Sequence, residues 1–306
     1  MLNIVALNEE HGIPGQVIFT VGAGGMAFAE LINAHGRAVI ALQGGHLISW
    51  APTGRRAVIW LSQDAKFAPG KSIRGGVPVC WPWFGDHLRK AFFPAHGFAR
   101  TVPWAVMDAT ETSAGGTRLT LKLDQNDETR QYWPYSSELL LTFTLGAELE
   151  MELVTRNTGA SPITIGEALH TYFEVGDVRK ITIQGLDGCE YLDKVDGMRR
   201  KLQSGSITFS GETDRVYLDT AGDCCIDDPV LNRRIRISKQ GSRSTVVWNP
   251  WAEKAAKMGD LGADGYLKMV CVESANAAGN VVSIPAGEEH RLAVAYRLEA
   301  LPGRPL

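Results

Sequence analysis

No apolar stretch in this 306-residue chain approaches the roughly 18 residues that a membrane-spanning helix requires. The amino terminus, MLNIVALNEEHG, reaches two glutamates before a signal-like apolar run develops, so a soluble cytoplasmic protein is expected. The five cysteines (Cys80, Cys189, Cys224, Cys225 and Cys271) include no C-x-x-C pair, which removes a zinc ribbon and a disulfide framework. A large charge of either sign is also missing. Thirty-one lysines and arginines stand against 34 aspartates and glutamates, and a net charge of -3 argues against a nucleic-acid coat or a polybasic membrane binder. Long helical periodicity is scarce as well, and only the segment near Ala252–Gly262 reads as helical.

One missing residue type decides against a familiar motif. VGAGGMAFAE places Gly22, Gly24 and Ala27 in the spacing of a dinucleotide fingerprint after the apolar run Val17–Val21. That fingerprint also needs an acidic side chain about 20 positions on, to hold the ribose. Between Leu31 and Gln63 there is no aspartate or glutamate, so a nucleotide site is rejected.

What the chain does have is alternation of period two from Thr117 onward. TRLTLKL places Leu119, Leu121 and Leu123 on one face, and SELLLTFTL does the same with Leu139, Leu141, Phe143 and Leu145. After a Gly146-Ala147 turn, ELEMELV alternates Glu148, Glu150 and Glu152 with Leu149, Met151 and Leu153. Further strands are expected around Ile163/Ile165, Ile181/Ile183, Ile235/Ile237, Val246–Trp248, Met269–Glu273 and Leu292–Leu298. With 33 glycines to punctuate them, these segments predict an all-β sandwich or barrel. No linker or low-complexity break divides the chain.

Two regions depart from ordinary sandwich composition. Residues 65–104 carry Lys66, Lys71, Arg74, Arg89, Lys90 and Arg100 against Asp86 alone, interleaved with Trp81, Trp83, Phe84, Phe92, Phe93, Phe98 and Trp104. Aromatic faces stack on sugar rings and arginine forks hold phosphate oxygens, although a charged loop over an aromatic core has the same composition. The second region is GEALHTYFEVGD, in which His170 is embedded among apolar and aromatic residues as either a packed core histidine or an acid/base group. In YLKMVCVESANA, alternation sets Glu273 on the face of Met269 and Cys271, where it is either exposed at a strand end or desolvated with a raised pKa.

IRGGVPVCWPWFG, PAHGFAR, EALHTYF, TDRVY, WNPW followed by Lys254, and DGYLKMVCVE occur in that order. Together they make the sequence similar to the D-hexose-6-phosphate mutarotases, the glucose-6-phosphate 1-epimerases of the aldose 1-epimerase family. The resemblance runs from about Ala41 to the carboxy terminus, so residues 1–306 are read as one domain with about 1–30 as an extension outside it. It implies a large antiparallel β-sandwich of the galactose mutarotase-like supersandwich type. It also implies anomerisation of glucose 6-phosphate, with Glu273 as base on the C1 hydroxyl and His170 as acid on the ring oxygen. Arg74 and Arg100 are then expected at the phosphate, His96 and Asp214 at the sugar, and Arg89 and Lys90 as further candidate cations. No cofactor or metal is expected, the partner is a hexose 6-phosphate, and the protein is taken as a monomer. The alternatives are an epimerase of neutral hexoses, a carbohydrate-binding protein without turnover and, given the basic aromatic stretch, a single-strand nucleic-acid binder, which the net charge disfavours.

Overall fold

The computed structural model describes residues 3–304. Two eight-stranded antiparallel sheets dominate it. The first runs in the order Arg199–Leu202, Glu190–Asp193, Thr213–Leu218, Ser244–Asn249, Met269–Asn276, Glu167–Leu169 and Val79–Cys80, with Tyr172–Glu174 also paired to Met269–Asn276. The second runs Thr182–Gln184, Cys224–Asp228, Arg233–Gln240, Glu289–Glu299, Leu149–Asn157, Ser137–Leu145, Thr117–Leu123 and Ala105–Glu111. The all-β sandwich expected from the sequence is what forms.

The hairpins at 117–157 follow the alternation closely. Leu121, Leu141, Phe143, Leu145, Leu149, Met151 and Leu153 are fully buried, while Glu150 between them is exposed. Both sheets feed one apolar core: Val247, Val270 and Val272 of the first sheet belong to the same cluster as Leu121, Phe143 and Met151 of the second. Burying such side chains is the main source of stability, at about 1.5–3 kcal/mol each.

A third sheet of four strands (Val17–Val21, Ala27–Asn33, Gly36–Ala41 and His46–Pro52) is built partly from the first thirty residues, whose role the sequence left open. Val17 and Phe19 are buried in the main core. Gly22 and Gly24 lie in the connection between two of these antiparallel strands, which holds only a three-residue 3-10 turn, Ala23–Gly25, so the fingerprint-like motif is a hairpin connection and opens no α-helix.

The helical expectation needs correcting. The helix after WNP is only Trp251–Ala255, and two others, Ile4–His11 and Asp127–Tyr132, had no legible periodicity. The last is a short helix held by a capping box, in which Asn126 accepts from the Thr129 amide while the Thr129 hydroxyl accepts from the Asn126 amide. Local caps of this kind stabilise helices too short to show an amphipathic stripe. All five cysteines are free thiols, and no helix among the described residues is long and apolar enough to cross a membrane.

One polar latch joins the two large sheets. Nε2 of His290, on the second sheet, lies 2.9 Å from Oε1 of fully buried Glu167 on the first, and the Asn276 side chain donates to the same oxygen. Burial works against the imidazolium, but the Glu167 carboxylate outweighs it and the His290 pKa rises from 6.5. A raised folded-state pKa stabilises fully below the unfolded value and is lost as pH climbs through the folded one. The expected result is a thermal midpoint that falls by a few degrees from about pH 6 to about pH 9, a slope that His290→Gln flattens. Equal slopes in both proteins would remove the latch as its source.

Candidate active site

The strand Met269–Asn276 is buried along its whole length because both of its faces are covered. Val270 and Val272 enter the sandwich core, while Met269 and Cys271 pack on the opposite side with Trp248 and Tyr172. By the same alternation, Glu273 points to that opposite side. Register completes the arrangement: Glu273 faces Val246, Cys271 faces Trp248, and Trp248 faces Asp214 on the next strand. One sheet face therefore carries Glu273, Trp248 and Asp214 together.

Loops at the edge of this sheet bring the remaining groups. In Arg74-Gly75-Gly76, both glycines have positive φ, and a Cβ on Gly76 would sit 2.4 Å from the Leu47 carbonyl oxygen. Beneath them fully buried His46 touches the Gly75 carbonyl through Nε2 at 2.8 Å. Burial pushes its pKa down to about 4, so His46 is a neutral donor bracing the Arg74 loop. In the HGFAR segment, Gly97 passes so close to Trp81 that a Cβ would lie 1.9 Å from its carbonyl oxygen. His96 just before it has φ 63°.

These elements enclose a cavity of about 320 Å³ lined by Arg74, Phe84, His96, Arg100, His170, Tyr172, Lys194, Asp214, Val246, Trp248, Lys254 and Glu273. All six site residues expected from the sequence are on its wall. Arg89 and Lys90 are not: the Lys90 ammonium sits 4.5 Å from the Phe93 ring centre, on a loop whose Leu88 and Phe92 are exposed. Nor do most aromatics of residues 65–104 face a ligand. Trp81, Phe98 and Trp104 are core residues, and of the seven aromatic rings noted there only Phe84 reaches the cavity. Lys194, Tyr172 and Trp248 were missed as site residues. Lys194 occupies a turn among acidic residues, where sequence alone suggests a solvated loop, yet its Nζ is 3.1 Å from Oδ2 of Asp214.

At the centre, Nε2 of His170 lies 3.3 Å from Oε1 of Glu273, whose side chain is 1% exposed. His170 is held by its own amide, which donates to the Pro78 carbonyl, and by the Tyr172 ring stacked on it at 5.1 Å. Burial, then Asp214, raises the Glu273 pKa well above 4.5, while Lys194 and Arg100 work in the opposite direction. Burial, then His96, Arg100 and Arg74, drives the His170 pKa well below 6.5. Both shifts favour the neutral forms, with the proton on the carboxyl and none added to the imidazole. Burial followed by the Arg100, Lys194 and Arg74 charges lowers His96 to about 3. Its Nδ1 accepts from the Gly85 amide at 3.4 Å, which leaves Nε2 as the protonated donor. Arg100 donates from Nη2 to the Ala95 carbonyl and has a buried Nε without a partner among the described residues.

Donor atoms of His170, Cys271 and Glu273 lie within 4.8 Å of one another. Burial raises the Cys271 thiol well above its usual range, so a cation there would have to displace protons held by both the thiol and the carboxyl. Two larger hollows, about 780 Å³ and 810 Å³, lack a buried acid and base in contact: one follows the acidic outer face of the second sheet, the other lies beside Trp60. The smaller cavity is where the chemistry converges.

The aldose 1-epimerase family model matches residues 28–297. The chain belongs to the aldose 1-epimerase family. Its match begins upstream of Ala41, within the strand Ala27–Asn33, so the family pattern extends further toward the amino terminus than the motifs indicated. As a member of this family the chain is an isomerase of the epimerase, or mutarotase, kind. A relative from Escherichia coli (strain K12) carrying the provisional name glucose-6-phosphate 1-epimerase is 44% identical over 79% of this chain and 80% of its own length. The crystal structure of a provisionally named mutarotase from Salmonella typhimurium superposes with a TM-score of 0.88 at 35% identity, covering 94% of this chain and 95% of that one. A galactose mutarotase related enzyme from Lactobacillus acidophilus shares the fold at 14% identity, with a TM-score of 0.72 over 89% of this chain and 97% of its own.

Proposed function

We propose that this epimerase interconverts the α and β anomers of glucose 6-phosphate, and of related D-hexose 6-phosphates, by acid/base-assisted ring opening and reclosure. The observation that carries the reading is the presence of Arg74, Arg100, Lys194 and Lys254 on the wall of the cavity that also holds the His170–Glu273 pair. Asp260, Asp214 and Glu212 pair with Arg74, Lys194 and Lys254, while Arg100 has no carboxylate partner among the described residues and burial favours the neutral form of Glu273, so the cations are in excess by Arg100. A neutral hexose has no use for that excess, whereas a phosphate dianion does. The name carried by the Escherichia coli relative points to glucose 6-phosphate, and that of the Salmonella typhimurium structure to a mutarotase.

In the proposed mechanism Glu273 removes the proton of the C1 hydroxyl while His170 protonates the ring oxygen. The C1–O5 bond then breaks to leave an aldehyde. Rotation about C1–C2 presents the other carbonyl face, and reclosure returns both protons. No electrons leave the sugar.

Burial bears directly on how the pair is loaded. A neutral His170 beside a protonated Glu273 has the same proton count as an imidazolium beside a carboxylate. Arg74 helps to hold His170 neutral and is not among the charges acting on Glu273, so a dianionic phosphate bound to it weakens that field and favours moving the proton from Glu273 to His170, whereas Arg100 lowers both groups and its neutralisation raises both. The substrate's remote charge thereby arms the pair. Asp214 accepts hydrogen bonds from ring hydroxyls, and the Nε2–H of His96 donates to another. The proposed enzyme acts as a cytoplasmic monomer of one domain.

Polarimetry tests the proposal. Fresh α-glucose 6-phosphate is expected to lose optical rotation faster than its spontaneous rate, with kcat/KM well above that for glucose. A ratio favouring glucose would transfer the assignment to neutral aldoses, and saturable binding without turnover would leave a carbohydrate-binding protein. The pH profile of kcat/KM should be a plateau across neutrality, once the substrate's own ionisation near pH 6 is allowed for. Its acidic limb, where His170 gains a second proton for the pair, falls below 6.5, and its alkaline limb, where Glu273 loses the only one, falls well above 4.5.

A further inference from the structure

Arg74 lies on an unbroken line of contacts that ends at Glu273. Its Nε donates to Oδ1 of Asp260 at 3.1 Å, and its Nη1 donates to the Tyr172 hydroxyl at 3.0 Å. The Tyr172 ring is nearly parallel to the His170 imidazole, at 16° and 5.1 Å between centres. Trp60 stacks against Tyr172 at 5.8 Å and 22°, and Trp248 meets it edge-on at 5.9 Å. Tyr172 is 2% exposed, so its ring has little freedom to reorient. Burial, then the nearby Cys271 thiol, raises its pKa, which keeps the hydroxyl protonated. His170 then meets Glu273 at 3.3 Å.

The guanidinium is shared between protein and ligand. Among the described residues two of its five N–H groups are committed, to Asp260 and Tyr172, which leaves three for an anion. Asp260 does not line the cavity, and it grips Arg74 from a segment packed beside Trp60 through Leu261. A phosphate bound to the free N–H groups completes a clamp in which Arg74 is held on several sides. The Tyr172 hydroxyl is then fixed by a fixed donor, and the imidazole plane rests on the Tyr172 ring.

We propose that Tyr172 is a positioning residue that couples occupancy of Arg74 by the substrate's phosphate to the seating of His170, with Asp260 holding the far side of the guanidinium. The inference rests on the phosphosugar reading above. Its consequence is that binding energy gained at the 6-phosphate is expressed in turnover as well as in affinity. A sugar without that group leaves the clamp open and reacts slowly even when the cavity is full.

The test separates the phosphate into a second molecule. Wild type, Tyr172→Phe and Asp260→Asn are assayed on glucose 6-phosphate, on glucose, and on glucose with inorganic phosphate. Phosphate binding is measured independently by competition with glucose 6-phosphate and by its effect on thermal unfolding. In wild type, inorganic phosphate is expected to raise kcat for glucose about tenfold. Tyr172→Phe keeps the ring, binds phosphate within about threefold of wild type, and loses most of that activation. With glucose 6-phosphate its kcat falls about tenfold while KM changes less than about threefold, and Asp260→Asn shifts both in the same sense by a smaller factor. A phosphate that binds wild type without activating it, or a Tyr172→Phe effect confined to KM, overturns the coupling and leaves the phosphosugar reading standing. Equal losses on both substrates with a lowered thermal midpoint would make Tyr172 a packing residue only. If phosphate does not compete at all and glucose is the better substrate, the phosphosugar reading falls and the coupling falls with it.

Discussion

Glu273→Gln is expected to lower kcat for glucose 6-phosphate by about three orders of magnitude while making the folded protein harder to denature at neutral pH. The first effect follows from losing the group proposed to take the C1 hydroxyl proton, since an amide accepts hydrogen bonds but does not act as a base at pH 7. General acid–base groups contribute about 10²–10⁴-fold each. His170→Ala should cost a similar factor, and the double variant little more, because a proton relay loses its function when either member is gone. The stability effect follows from burial, which is the largest influence on the Glu273 pKa and raises it well above 4.5. A group whose folded-state pKa exceeds the unfolded one contributes fully below the unfolded value and loses that contribution as pH rises through the folded value. The advantage of the glutamine variant is therefore small at about pH 4 and grows toward alkaline pH, reaching the ~0.5–2 kcal/mol typical when a strained functional group is removed. Urea denaturation at both ends of that range, beside polarimetry, measures the two effects. A glutamine variant with undiminished kcat would end the assignment of Glu273 as base.

The second large effect is one of discrimination. Arg74→Ala or Arg100→Ala should reduce kcat/KM for glucose 6-phosphate by about 10²–10³, with a much smaller reduction for glucose. Truncating one partner of a buried, hydrogen-bonded charge pair costs about 2–5 kcal/mol, and a phosphate at these arginines would form such pairs. Arg100→Lys tests the geometry of the fork, since an ammonium keeps the charge and loses bidentate contact. It should recover only part of the loss. Activity on both sugars measured by polarimetry supplies the ratio, and a parallel fall on glucose and glucose 6-phosphate would mean that the arginines support the fold of the loop alone.

The sandwich was legible wherever strands have one wet face and one dry face. Leu119 through Leu153 announced their hairpins because a period of two survives in composition when exposed Glu150 alternates with buried Leu149 and Met151. The helix Asp127–Tyr132 was not legible, because its stability is local to one capping box and leaves no stripe. The site divides along similar lines. His170, Glu273, Arg74, Arg100, His96 and Asp214 stand in ordered motifs and could be named in advance. Lys194 could not, because a lysine beside aspartates in a turn looks solvated until the fold closes it against Asp214. The pairing of Arg74 with Asp260 spans 186 positions of chain and leaves no trace in either segment. Local charge density also misled at Arg89 and Lys90: proximity in sequence to Arg74 and Arg100 did not become proximity in space.

The strand Met269–Asn276 is buried on both sides, the valines on one and Glu273 on the other. Hydrophobic redesign at Val270 or Val272 would move the backbone that aims Glu273, so thermostabilising the interior and preserving turnover become a single engineering problem along these eight residues. Adaptation to a different sugar is easier at positions that touch the ligand space without forming the interior wall. The Lys194 turn is such a place, and a library drawn from it would explore specificity while leaving the proton-handling centre where it is.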